Sequence, residues 1–281
     1  MRQIGVARRL DAPGGAAANR ESMRILLLAL GVTLLAGSAQ AQDLRDFCAE
    51  RPGKATPPCI ADKGHLMLEI GLADAVFTRG SGVHEETYTL GATELRLGVS
   101  RRLEIDAQWL PVVVDHQRGS SSRTGVGDAA VGMKAALTDP DSNGLAISVS
   151  GFVTAPTATR GQGAGGWTGG LRLPIAGPLS PDIDFGLAPE VDIERDAAGG
   201  GTHLAWSCAA GVSHAFGPTT LGGELWGQID DDPADRTYQA SADLTAAFAV
   251  GSNAQFDAGV NIGLNRSTPD VEVYAGVAKR F

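Results

Sequence analysis

From residue 65 onward, apolar and polar side chains alternate with period two, in runs separated by turn formers. Leu66, Leu68, Ile70 and Leu72 interleave with Met67, Glu69, Gly71 and Ala73. Thr93, Leu95, Leu97 and Val99 then oppose Glu94, Arg96 and Gly98, and Leu103, Ile105, Ala107 and Trp109 oppose Glu104, Asp106 and Gln108. A run over 125–137 sets Ala129, Val131 and Met133 against Asp128, Gly132 and Lys134. Two shorter runs follow, one with Ile147, Val149 and Val153, the other with Leu171, Leu173 and Ile175 facing away from Arg172. The cleanest alternation is Ile183, Phe185, Leu187, Val191 and Ile193 against Asp184, Gly186, Glu190, Asp192 and Glu194. Leu204, Trp206, Cys208, Ala210 and Val212 open the next run. Leu221, Leu225 and Ile229 oppose Glu224, Trp226 and Gln228; Leu244 and Phe248 oppose Asp243 and Thr245. Phe256, Val260, Ile262 and Leu264 oppose Asp257, Asn261 and Gly263, and a last run ends at Phe281. The pattern predicts about twelve antiparallel strands.

Alternation by itself does not say which face meets water, because a soluble sandwich alternates too. Three features choose an inverted barrel, with lipid outside and a polar lumen. A secretion signal stands at the other end of the chain. The last strand finishes on an aromatic residue, Phe281, in a position the barrel-assembly machinery reads. The polar faces carry glycine and alanine as often as charge, which suits a confined interior. The connections alternate as well: short turns at 100–102, 138–144, 178–181, 217–218 and 251–253, and mostly longer polar loops between them. In a bacterial barrel the short ones face the periplasm. Against this, aromatic residues are only 5% of the chain, so the interfacial girdles are thin. Trp109 and Trp206 fall on the apolar face, and Trp226 falls on the polar one. The predicted fold is therefore an all-β, antiparallel, up-and-down transmembrane barrel over residues 64–281, in the outer membrane of a Gram-negative bacterium.

The first 41 residues read as a targeting segment. Met23-Arg24 is a basic start, 25–35 is nearly all apolar, and Ala39-Gln40-Ala41 is a small-x-small cleavage site. Residues 1–22 are unlike a signal start, so translation begins at Met23, or else the basic region is unusually long. Residues 42–63 form a short periplasmic segment. Cys48 and Cys59 flank its prolines, and in an oxidising compartment they either pair or stay reduced. Cys208 is mid-strand packing, and no cysteine has zinc-ligand spacing. The net charge of −9 argues against nucleic acid and favours cations or neutral solutes in the lumen.

The run Gly125-Val126-Gly127-Asp128 followed by Gly132 and Lys134 resembles the Gly-x-Gly-Asp-x-x-x-Gly-x-Lys stretch of the outer-membrane family known as MetA-pathway of phenol degradation. The closing segment 255–265, then Pro269-Asp270 and Arg280-Phe281, is similar to that family's ending. Two positions depart from it: 153–158 lacks the family's glycine, and Lys279 stands where an apolar residue is usual. The resemblance implies passive uptake of small, aromatic or hydrophobic solutes, with outer-membrane lipids and the assembly machinery as its other partners. It implies no cofactor.

With this choice of faces, Glu94, Arg96, Glu104, Asp106, Asp128, Lys134, Arg172, Glu190, Asp192, Glu224, Asp243 and Asp257 point inward. They either line a selective path or pair across the lumen and close it, leaving a structural or partner-binding barrel. Asp128 and Lys134 sit too far apart to touch, so each needs a partner on a neighbouring strand. Asp230-Asp231-Asp232 offers oxygen ligands to a cation but lacks the spacing of a calcium loop, so a solvated acidic loop is the expectation and no metal is assigned. No Gly-x-Ser-x-Gly elbow is present, and no serine lies within reach of His203 on its strand, so no catalysis is expected.

Overall fold

The computed structural model describes residues 44–281 apart from 81, 82, 120 and 199. The segment read as a signal peptide, with both candidate starts, lies outside the described residues. The regular elements are strands: β1 (Leu66–Gly80), β2 (Val83–Leu90), β3 (Ala92–Ser100), β4 (Leu103–Trp109), β5 (Val112–Gln117), β6 (Arg123–Gly125), β7 (Ala129–Ala136) and β8 (Ala146–Ala155). They continue with β9 (Thr168–Arg172), β10 (Ile175–Ser180), β11 (Ile183–Arg195), β12 (Thr202–Phe216), β13 (Thr219–Asp230), β14 (Thr237–Val250), β15 (Ala254–Gly263) and β16 (Val271–Arg280). Four pairs of segments, β2/β3, β4/β5, β6/β7 and β9/β10, are single staves broken once, so the sixteen segments make a twelve-stave antiparallel barrel. The breaks fall where the chain cannot keep a ladder. Gly91 takes φ +72°, Pro111 interrupts the second, and Pro174 the fourth. The barrel closes because β1 pairs with β16, from Met67 opposite Arg280 to Phe77 opposite Val271. Closure leaves no row of unpaired backbone groups facing hydrocarbon.

Burial is inverted relative to a water-soluble protein. Val131, Leu225 and Leu244 are about 60% exposed on the outer wall, whereas Arg96, Glu69 and Glu104 are essentially inaccessible inside. Such an outer surface is stable only against acyl chains.

The staves extend further than the hydrophobic pattern predicts. β2 and β5, which pair from Glu85 opposite Gln117 to Leu90 opposite Val112, carry that part of the wall upward. Their outer ends, with His84, Glu85, Glu86, Asp115 and His116, are polar on both faces, whereas Leu90, Val112, Val113 and Val114 at the other end are apolar. Where both faces meet water, at those outer ends, the alternation disappears.

One stretch of wall is joined differently. β6 pairs with β5 but has no ladder with the next stave. The loop 156–167 runs beside it, held by caps: Val126 donates its amide to Thr159 Oγ1 (3.1 Å), and Ala129 donates to Thr157 Oγ1 (2.9 Å). Gln162 Nε2 donates to the carbonyl of Val113 (2.9 Å).

Residues 44–63 do not hang in the periplasm as a separate segment. They fold up into the bore and return before β1, with Cys48 bonded to Cys59 across the base of the loop. The segment carries neither period two nor a helical pattern. Its position is set instead by backbone amides and carbonyls that meet charged side chains on the inner wall.

Candidate functional site: an occupied bore

The inner half of the lumen is built around Arg96 of β3. Its Nε and Nη2 donate to the two oxygens of Glu104 on β4 (3.1 and 3.0 Å). Nη1 donates to Glu69 on β1 (3.0 Å), and the remaining N–H groups reach the carbonyls of Cys48 (3.1 Å) and Cys59 (3.2 Å). All five guanidinium donors are thus used, which is what lets a full charge stay buried. Lys134 of β7 lies beside this pair, 3.3 Å from Glu104, in contact with Glu50, and donating to the carbonyls of Pro57 and Cys59. The inserted loop is therefore held at its neck by two cations and at its rising limb by Glu69, which accepts the amides of Glu50 and Arg51.

The tip is held by the opposite wall. Glu224 accepts the amide of Lys54 (2.7 Å), and Tyr274 Oη accepts that of Gly53 (3.0 Å). Arg51 pairs with Asp257 (3.1 Å) and lies over the Tyr274 ring. The Lys54 ammonium sits 4.6 Å from the centre of the Trp226 ring and donates to Ser241. Arg172 makes a two-pronged pair with Glu190 (2.7 and 2.8 Å) and donates to Thr56 (2.8 Å). At the periplasmic end, Arg280 donates to Asp62 and to the carbonyl of Arg45. Arg45 and Arg101 both bind Asp141, holding its carboxyl below the usual range.

Above the tip lies a cavity of about 340 Å³, floored by Gly53, Lys54 and Thr56 and walled by Arg172, Glu190, Asp192, Ser207, Trp226 and Gln228. A second hollow of about 420 Å³ lies on the lipid face between Leu221, Leu244 and Val260, a groove suited to an acyl chain.

The structure places the sequence-predicted residues in three groups. Arg96, Glu104, Lys134, Glu224 and Asp257 grip the inserted loop, and Asp243 is buried beside them, opposite Glu224 in register. Arg172, Glu190 and Asp192 wall the cavity. Glu94 accepts from Gln108, and Asp106 occupies space left open by Gly132, whose missing Cβ would lie 2.6 Å from it. Asp128 serves another part of the wall. Its oxygens accept the amides of Ala158 (2.8 Å) and Ala164 (2.9 Å), so it pins the loop 156–167 rather than lining a path, and its partners are loop amides rather than a neighbouring strand. The irregular backbone at 126–128 shifts it out of the ladder on which the alternation depends. Phe281 lies on the outer face, and its backbone pairs with Leu66. Glu50, Arg51 and Lys54 are contributors that sequence reasoning missed. Only the aromatic and charged positions on alternating strands carry a signal, and Glu50 and Lys54 are on none.

The family model described as "Putative MetA-pathway of phenol degradation" matches residues 49–281, which includes most of the inserted loop as well as the barrel. Among solved structures, the COG4313 outer membrane channel from Pseudomonas putida F1 superposes with a TM-score of 0.67 at 15% identity, over 82% of this chain and 99% of that one. The NanC porin gives a TM-score of 0.48 at 9% identity, over 76% and 98%. The CymD monoaromatic hydrocarbon channel gives 0.41 at 11%, over 78% and 88%. No curated relative matches the chain in sequence.

Proposed function

We propose that this chain, which belongs to the MetA-pathway of phenol degradation family, is an outer-membrane barrel that passes small aromatic or hydrophobic solutes down their concentration gradient. The observation that carries this reading is the cavity above the inserted loop. Its volume of about 340 Å³ exceeds the ~150 Å³ that suffices for benzene in an apolar cavity. The exposed side of Trp226, with the Lys54 ammonium near its ring, offers an aromatic guest both a stacking face and a cation. Arg172, Ser207 and Gln228 offer hydrogen bonds to a hydroxyl substituent. The inserted loop removes the wide wet path that a general porin needs, which disfavours bulk hydrophilic traffic. The family's description points to single-ring phenolic compounds, in agreement with that size and chemistry.

A second reading is favoured by the same loop: so many ion pairs across the lumen suit a sealed structural barrel. Uptake separates the two. Cells stripped of their general porins and expressing the chain should take up radiolabelled phenol and toluene several-fold faster than cells without it, while glucose uptake stays unchanged. Trp226→Ala should slow the aromatic solutes. If a correctly closed barrel gives no faster uptake than its absence, the sealed reading stands and the transport reading fails.

A further inference from the structure

A cluster at the outer rim, independent of the transport reading, carries one more inference. Glu194 is the penultimate residue of β11, His203 is the second of β12 and directly opposite it in the ladder, and Asp230 ends β13 on the far side of β12. All three lie on the bore side of their strands. One donor atom from each comes within 4.8 Å of the other two. We propose that Glu194, His203 and Asp230 bind a divalent first-row transition-metal cation at the mouth of the barrel.

The histidine carries the argument. Its side chain is only 5% exposed. Nδ1 lies 2.9 Å from Oδ1 of Asp196, a carboxylate that can only accept, so Nδ1 carries a proton and Nε2 is the nitrogen left to bind a ligand. Nε2 lies 2.7 Å from Oδ1 of Asp230, yet the two make no hydrogen bond, because the oxygen is off the direction that a ring N–H would take. That oxygen already accepts the amide of Asp232 (3.1 Å). Nε2 and a carboxylate oxygen thus face each other at close range without a hydrogen bond in a buried place, with a second carboxylate, Glu194, beside them. A proton on Nε2 answers the charge but leaves that nitrogen without a hydrogen bond. A cation shared by the three groups relieves it directly.

The remaining features fit such a site. A carboxylate on the far ring nitrogen is the usual outer support of a metal-binding histidine, fixing both tautomer and ring orientation. A mixed set of one imidazole and two carboxylates suits zinc, nickel or copper better than calcium, which prefers more oxygen ligands. Tetrahedral ligands at about 2.1 Å from zinc stand about 3.4 Å apart, so the site closes by side-chain rotation. The adjacent acidic run is not the site: Asp231 pairs with Arg236 (2.7 Å), and Asp232 accepts the amides of Ala197 (2.8 Å) and Ala234 (2.7 Å). The cation would tie the outer ends of three consecutive staves together.

The test is calorimetric titration of zinc into the full mature chain in detergent, after dialysis against a chelator, with barrel closure checked by heat-modifiable migration. One zinc per chain should bind. His203→Gln and Asp230→Asn should each lower the affinity by about a hundredfold or more, with the barrel still closed. Asp196→Asn, which keeps every ligand, should lower it by roughly 10- to 100-fold. Cobalt in place of zinc should show ligand-field absorption that disappears in His203→Gln. Absence of stoichiometric binding overturns the proposal, as does zinc binding that His203→Gln leaves unchanged, which would place the metal on exposed carboxylates instead.

Discussion

Arg96 concentrates at a single residue the problem of a charged interior. Removing a guanidinium from water costs several kcal/mol, and only a complete set of partners offsets it. Here two carboxylates and two carbonyls supply that set, and the carbonyls belong to the disulfide-linked residues of the inserted loop. Arg96→Ala would leave Glu69 and Glu104 buried with one cation fewer. The expected loss is about 3–5 kcal/mol of barrel stability, since removing one partner strands the other charges. Urea unfolding in lipid vesicles measures it; a loss below about 1 kcal/mol would mean that water already screens these groups. Arg96→Lys should recover little, because an ammonium offers three donors where five are in use.

At the scale of elements, the alternation made the barrel staves legible, together with the inward faces of Arg96, Glu104, Lys134, Arg172 and Glu224, because membrane and lumen impose opposite solvents on successive residues. The pattern fails where that contrast ends. The outer ends of β2 and β5 lose the periodicity, and Asp128, in the irregular stretch 126–128, is taken up by the amides of the loop 156–167. The inserted loop was illegible for a different reason. Its partners lie far along the chain, Arg51 finding Asp257 and Lys54 finding Glu224, and no local rule links such positions. The Glu194–His203 meeting likewise depends on register across a hairpin whose loop length is not encoded by the alternation. The Cys48–Cys59 bond closes a loop with a sequence separation of 11, for which the chain-entropy model gives about 3 kcal/mol. Cys48→Ser should therefore free the loop without dismantling the staves. Single-channel recording should show larger and noisier conductance than the parent, whereas an unchanged trace would mean the ion pairs alone hold the loop in place.

For the molecule as a whole, the decisive property is which solvent each surface meets. Leu225 and Gln228 lie three residues apart on β13, one toward lipid and the other toward the cavity. Leu225→Arg should cost about 2–4 kcal/mol near the bilayer midplane, whereas Gln228→Arg should cost little beside Glu190 and Asp192. Equal costs in vesicle unfolding would contradict the inverted arrangement. The closure of the ring on itself has a further consequence. Arg280, on the strand that completes the circle, grips Asp62 and the Arg45 carbonyl, which belong to the loop folded into the bore. The hoop and its stopper therefore share a fastening. A chain whose segment 44–63 has strayed therefore lacks contacts that help fasten its final strand.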